Sequence, residues 1–525
     1  MEEGFDYDGH FRWFARELKH EPNPRRLFQD AFNAAPLETI PRDRALHMLQ
    51  FYLSAREREE FPGGEYPPEV TRQAESLLRV METRHGLTFK PEPTPRTSSR
   101  TGSPGDVHPA VKDFLVTGGG GSLLGVETTR DLDGDVDFIR TNRFDMNPYY
   151  KPIVFQMAIA AFREHGARRL RQAGFQRRRD AATDIILWVR LPSPIGKDAS
   201  GSPSLTTPFV PNPDRHNPIV FLHGLGLGIA PYAEYVCALP TDRPVVAPEW
   251  PNISYGADRS HRYPSPSEIS NFLERATRRA AEDAWARDDA GADQSAIVDA
   301  GKRSVCDVIA HSYGTVCLTA FRRHYPGSTR RRVYVDPVCF LPSFGSYLRY
   351  GFDDHLADWT EMCKHLRARA KDPTEPMSMG NLVLASWFVK GDASTQQLMK
   401  RLLFPHEAWE RGPLTERDMV VLSGLDEIVG SIEISERFAR AWPGCKVVLQ
   451  RQWQHGGFLL EPDPEGVNHD IVAHVTGDAA SRHVQRKPGL VKRAWRFGFA
   501  KRRKKKLKRQ AEDLREATKA ADAGA

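Results

Sequence analysis

The sequence predicts an α/β fold, a mostly parallel sheet covered by helices on both faces, and three observations predict it. From about residue 183 onward, short and nearly wholly apolar stretches alternate with longer ones at helical spacing. Strands apolar on both sides belong to sheets buried on both faces. Small and polar residues gather where those apolar stretches end, as in Ala310-His311-Ser312-Tyr313-Gly314 and His223-Gly224-Leu225-Gly226. The third observation is an excess of chain: about ninety residues separate Asp336 from Asp426, more than one connection between neighbouring strands requires.

The central element runs from Val305 to Val316, an apolar strand that enters a tight turn at Ser312 and then opens a helix. Small residues flank the serine because such an elbow brings backbone very close to its neighbours. Alone, this pattern is also that of an ordinary strand-to-helix loop. Upstream, Asn217 to Leu222 is an apolar strand that ends in His-Gly-x-Gly, and downstream Asp418 to Ser423 ends close to Asp426. Val447 to Gln450 is followed by Gln454-His455-Gly456-Gly457. A nucleophile, an acid and a histidine in the chain order Ser, Asp, His are the order of α/β-hydrolases.

Before this core, residues 1–100 read as a helical region. Phe11, Trp13, Phe14 and Leu18 recur at helical spacing, Pro41-Arg42-Asp43 opens a second helix, and Pro67-Pro68-Glu69 opens a third that runs to about Thr83. These stripes are expected to bury against the main body. Residues 101–180 read as linker followed by an amphipathic helix from Ile153 to Leu170 and a basic connection; Gly118 to Ser122 is a glycine-rich loop with no phosphate-binding sequel. The hydrolase region spans 181–480. Its first strand is expected at Thr183 to Val189, and a helix from Ser267 to Ala284 is expected to be capped by Ser267. Within it, about 340–413 is an aromatic-rich helical insertion, read as a cap over the site.

The formal charge of +6 hides an asymmetry. Between Arg482 and Arg509 there are fourteen Lys or Arg and no Asp or Glu, so the rest of the chain is net acidic. The tail, 481–525, has Trp495, Phe497 and Phe499 among its cations. It reads either as a solvated extension, as an anchor to an anionic membrane surface or as a nuclear-localisation segment. Nucleic-acid binding is disfavoured, because the acidic body offers no recognition module. No apolar run reaches the roughly 18 residues of a membrane span, and the start, Met1-Glu2-Glu3-Gly4, is acidic and unlike a secretory signal; an intracellular location is the expectation. The six cysteines include no C-x-x-C pair, so neither a metal cluster nor a disulfide framework is expected, and no cofactor is called for. Cys306 and Cys317 flank the elbow and read as core residues.

The chemistry these residues support is acyl transfer. Ser312 needs a base, His455 can take its proton, and Asp426 can orient and stabilise the imidazole. The N–H groups of Leu225 and Tyr313 would receive the developing oxyanion. Asp336, at the end of the strand after the elbow, is the alternative acid; Glu427 reads as a solvated neighbour, and His223 and His311 as residues that shape turns. A carboxylic ester, small or lipid, is the expected substrate. The same triad serves an acyltransferase, and a non-catalytic scaffold binding a ligand or partner through the cap and the N-terminal helices is the reading from another class.

On these residues the chain resembles the α/β-hydrolase superfamily, and more narrowly a group of eukaryotic α/β-hydrolase-1-type proteins. The likeness is carried by Val335-Asp336-Pro337-Val338-Cys339-Phe340, by Pro248 to Ser254, by Ala385 to Trp409 and by Ser423-Gly424-Leu425-Asp426, and it runs from about Asn217 to Leu460, extending to 147–175. It implies the hydrolase fold and the triad Ser312, Asp426 and His455, and no particular substrate. Ala310 stands where the group's elbow usually has glycine. Members often carry N-terminal membrane helices, which have no counterpart here.

Overall fold

A computed structural model describes residues 11–12, 14–15, 24–32, 35–54, 56–91, 153–192, 214–255, 263–288, 297–298, 301, 305–340, 392–399, 405–426, 428–460, 463 and 465–477. Eight strands form one sheet: β1 (Gln176–Arg179), β2 (Ile186–Arg190), β3 (Ile219–Leu222), β4 (Val245–Glu249), β5 (Cys306–His311), β6 (Thr329–Val335), β7 (Asp418–Ser423) and β8 (Lys446–Gln450). Their order across the sheet is β1-β2-β4-β3-β5-β6-β7-β8. The β1/β2 and β2/β4 pairs are antiparallel and the rest are parallel. The helices considered below are α1 (Pro24–Ala31), α2 (Arg42–Ser54), α3 (Pro68–His85), α4 (Ile153–Gln172), α5 (Ala233–Cys237), α6 (Pro266–Asp288), α7 (Gly314–His324), α8 (Ala393–Gln397), α9 (Pro405–Ala408), α10 (Ser431–Ala441), α11 (Gly457–Leu460) and α12 (Val467–Thr476).

Period-two alternation places successive strand residues on opposite faces, and both faces here are apolar. Val220, Leu222, Val308, Ala310, Val420 and Leu422 share one core with α6, α7 and α10. Ile219, Phe221, Ile309, Val333, Met419 and Val421 share the other with α5, α11 and α12. Cys306 and Cys317 are buried, as read from the sequence.

Several boundaries correct the sequence reading. The stretch taken for a basic connection is strand β1, whose four residues are all exposed; a strand with no buried face has no apolar alternation to announce it. The first expected strand is the second, and it runs to Arg190. Helix α6 begins at Pro266, which suits the first helical position, so the cap is Ser265 and not Ser267. Ser265 Oγ accepts from the N–H of Glu268 at 3.2 Å, while Glu268 Oε2 accepts from the N–H of Ser265 at 2.9 Å, a reciprocal capping box. The N-terminal stripes bury mainly against one another: Phe14, Phe28, Met48, Leu49, Tyr52, Leu77, Leu78 and Met81 form their own core. Among the described residues Trp409 of the body joins this core, stacked on Phe14 with ring centroids 5.7 Å apart. Of the expected cap, 341–391 and 400–404 lie outside the described residues, as do the glycine-rich loop, Glu427 and the basic tail.

Beneath the elbow strand, an ionic cluster fixes the sheet's lower edge. Asp307 on β5 accepts from Arg243 Nη2 at 2.5 Å and from Arg330 Nη2 at 2.5 Å and Nε at 3.1 Å. Arg243 also donates to the carbonyls of Asn217 and Val475, at 2.8 and 3.1 Å. Both members of the Arg243–Asp307 pair are almost fully buried, where a charge is tolerated only with such partners.

Candidate active site

Ser312 follows the last residue of β5 and has φ of 53°, the left-handed region that costs a non-glycine residue of order 1 to 3 kcal/mol. The surroundings enforce it. Its N–H donates to Val335 O at 3.0 Å, and its carbonyl accepts from the N–H and hydroxyl of Thr315 at 2.9 and 2.6 Å. Gly314 is required by packing, since a Cβ there would stand 2.4 Å from Leu222 O. Gly224 is equally confined: its Cβ would lie 2.9 Å from Ser312 Cβ, which shows how closely the turn after β3 meets the serine.

The histidine and the acid arrive on two loops that are tied together. Gly424 N–H donates to Gln450 O at 2.8 Å and Leu425 N–H to Trp453 O at 2.9 Å, and a side chain on Gly424 would strike Arg451 Cα at 2.7 Å. This contact brings Asp426 to His455: Nδ1 and Oδ2 are 2.7 Å apart. The other ring nitrogen, Nε2, is 2.9 Å from Ser312 Oγ. Asp426 Oδ1 accepts from the N–H groups of Ile428 and Val429 at 2.8 and 2.9 Å. The carboxylate acts only as an acceptor, so Nδ1–H donates to it and Nε2 is left to accept from the hydroxyl. Burial pushes the His455 imidazole toward its neutral form, but the charge and hydrogen bond of Asp426, with Asp336 behind, outweigh it and raise its pKa to about 9.

The sequence-predicted residues therefore separate into three groups. Ser312, His455 and Asp426 form one hydrogen-bonded line. Asp336 does not bond the histidine ring; it lies fully buried with φ of 44°, and accepts from Gly456 N–H at 2.7 Å and Ser423 N–H at 3.0 Å. Burial, then the nearby Asp426 charge, raise its pKa to about 7. Leu225 and Tyr313 sit in the turn after β3 and at the start of α7, on either side of the serine. Among the described residues Leu225 N–H donates to nothing, while its neighbours Gly224 and Gly226 donate to Tyr232 Oη and Ile253 O.

His223 is a turn-shaping residue: Nδ1–H donates to Gly224 O at 2.7 Å and Nε2 accepts from Trp250 N–H at 3.2 Å, with burial holding the ring neutral. His311 has its Nδ1 2.8 Å from Tyr232 Oη, and burial keeps its pKa well below the ordinary value. Tyr232, which joins His311 to the N–H of Gly224, was not foreseen. Nothing local in Ala230-Pro231-Tyr232 distinguishes it from a core tyrosine. Carboxylate oxygens of Asp336 and Asp426 and a nitrogen of His455 lie within 4.8 Å of one another, yet their hydrogen bonds are already satisfied within the protein.

The sheet and this constellation define an α/β-hydrolase fold. The model of the Alpha/beta hydrolase family matches residues 219–470, so a little under half of the chain is similar to that family, and its eight-stranded sheet has the α/β-hydrolase fold. Among solved structures, carboxylesterase CesB (YbfK) from Bacillus subtilis is 12% identical over 61% of this chain and 98% of that one, with a TM-score of 0.38. Naproxen esterase (carboxylesterase NP) from Bacillus subtilis is 11% identical over 60% of this chain and 96% of that one, with a TM-score of 0.37. Likenesses this distant carry no argument about activity. No curated protein matches the sequence. Among the described residues, no helix is long and apolar enough to cross a membrane.

Proposed function

We propose that the chain is a serine hydrolase that cleaves a carboxylic ester through an acyl-enzyme. The observation that carries this reading is the pair of hydrogen bonds at His455, one to Ser312 Oγ at 2.9 Å and one to Asp426 at 2.7 Å. In its neutral form His455 takes the hydroxyl proton on Nε2 as Oγ attacks the carbonyl carbon, and Asp426 stabilises the imidazolium that results. The negative charge gathers on the carbonyl oxygen, toward the N–H groups of Leu225 and Tyr313. Collapse of the tetrahedral intermediate expels the alcohol, which takes the proton from Nε2. Water then repeats the sequence on the acyl-serine and releases the acid.

The test is labelling of the full chain with a fluorophosphonate, alongside Ser312→Ala and His455→Ala. Labelling of wild type that is lost in the serine variant and falls steeply in the histidine variant is the expected result. A folded wild type that stays unlabelled, or a Ser312→Ala variant labelled as strongly, would overturn the assignment. Product analysis in water with and without an added alcohol then separates hydrolysis from acyl transfer.

A further inference from the structure

The direction of α4 follows from the strand pairing. β2 lies antiparallel to β4 with Ile186 opposite Glu249, and β1 lies antiparallel to β2 with Arg179 opposite Ile186. β1 therefore starts at the edge of the sheet remote from Ser312 and ends at the carboxyl edge, where the serine stands. Helix α4 joins β1 through a short turn, so its C-terminus is at the remote edge and its N-terminus points to the carboxyl edge. Halfway along it, Arg163 Nη2 reaches Glu249 Oε1 at 2.7 Å and Nη1 reaches Tyr255 O at 3.4 Å, which pins residue 163 at that edge. At 1.5 Å per residue, the helix runs on for roughly 15 Å from residue 163 to Ile153, first along the body, where Ala160 lies by Ala230 and Glu249, and then toward its exposed first turns.

Four large apolar side chains of that half are exposed, while Ile159 among them is buried. Ile153, Val154 and Met157 are 68, 75 and 66% exposed, and Phe162 is 39% exposed. Leu425, beside Asp426, and Ile432, in the first turn of α10, are exposed on the same side of the sheet. Six of the eight large apolar side chains exposed among the described residues thus lie toward the carboxyl edge, although surface apolar residues are normally scattered. Behind the apolar end comes a basic band. From Arg163 to Arg179 there are seven arginines and a single acid, Glu164. Arg168 and Arg171 pair with Glu164, Arg178 with Asp283 and Arg179 with Asp184, all at the surface.

We propose that the N-terminal half of α4 is a docking element for an anionic lipid surface, inserted beside the mouth of the candidate active site. An apolar end that enters the interface by about 5 to 10 Å, followed by cations at headgroup depth, is the arrangement such a surface favours. Exposed apolar side chains next to a run of arginines fit an anionic bilayer better than the pocket of a protein partner. Docked this way, the carboxyl edge of the sheet faces the lipid, and an acyl ester leaving the bilayer meets Ser312. The acyl-lipid substrate rests on the hydrolase reading; the docking does not.

The test uses the full chain with vesicles of phosphatidylcholine and phosphatidylserine in a three to one ratio, and with pure phosphatidylcholine. A polarity-sensitive nitrobenzoxadiazole label on Met157→Cys should shift to the blue on the mixed vesicles, and the same label on Ala439→Cys, an exposed position of α10 far from that edge, should not. The double variant Val154→Asp, Met157→Asp should lose at least tenfold in vesicle partitioning while hydrolysing a short soluble ester as wild type does. Vesicle binding with no blue shift at 157 and no loss in the double variant would assign binding to the basic stretch Arg482 to Arg509 and overturn the proposal. A wild-type dimer that the double variant converts to monomer, without vesicle binding, would assign the face to a second copy and also overturn it. Ser312→Ala should bind vesicles unchanged, so docking and catalysis fail separately.

Discussion

Replacing Asp336 by Asn should move the acid limb of the pH–rate profile downward. The proposed mechanism requires neutral His455, whose pKa is raised to about 9, so kcat/KM for a soluble ester should rise with pH up to that region. Asp336 shares with Asp426 and His455 a cluster in which the facing atoms lie within 4.8 Å. At that distance and an effective dielectric of 20 to 40, one unit charge contributes about 2 to 3.5 kcal/mol. That corresponds to roughly 1.5 to 2.5 units of pKa. Removing the anion destabilises the imidazolium, so the limb should fall from about 9 to the neighbourhood of 7. The titratable groups around it, His311, Asp426 and His455, are otherwise kept. The amide can accept only one of the two N–H groups that Asp336 holds, from Ser423 and Gly456, and the lost bond costs about 1 to 3 kcal/mol at low pH. That cost should shrink as pH rises. The folded carboxyl has a pKa raised from 3.8 to about 7, so its contribution is full below 3.8 and is lost as pH passes through 7. An unmoved limb in a folded Asp336→Asn protein would refute the electrostatic coupling.

Asp426→Asn removes the acceptor that sets the His455 tautomer, and kcat should drop by about a thousandfold or more with little change in KM, as read from steady-state kinetics. Gly314→Ala places a methyl 2.4 Å from Leu222 O; backbone cannot yield there cheaply, and urea melts should show a loss of about 3 kcal/mol, with activity lost as well. Arg243→Met leaves Asp307 with Arg330 and the N–H of Arg331, and stability should fall by about 3 kcal/mol while activity per folded molecule is retained.

The site was legible where chemistry is written into short stretches that end strands. Ser312 is announced by the small residues on either side, and Asp426 by Ser423-Gly424-Leu425, where the glycine is needed because Arg451 lies against it. His455 is announced by the glycines that follow. In a parallel sheet these ends share one edge, so chain order alone brings them close. What could not be read depends on partners distant in the chain. The edge strand β1 carries four exposed polar residues, and only its pairing with β2 makes it a strand. The N-terminal stripes show that faces must be buried but not against what, and they meet one another, with Trp409 of the body joining them.

Asp336 shows the same limit within the site. From the sequence it is a second carboxylate at a strand end, the alternative to the preferred Asp426. The distinction comes from which loop donates to which oxygen. Asp426 has one oxygen occupied by the N–H groups of Ile428 and Val429, and the other turned to the His455 ring. Asp336 spends one oxygen on Ser423 N–H and the other on Gly456 N–H, the peptide next to the histidine. It therefore holds the backbone on both sides of the Asp426–His455 bond. One acid orients the ring; the other positions the loops that carry ring and acid, and its charge adds to the basicity of the ring it does not touch.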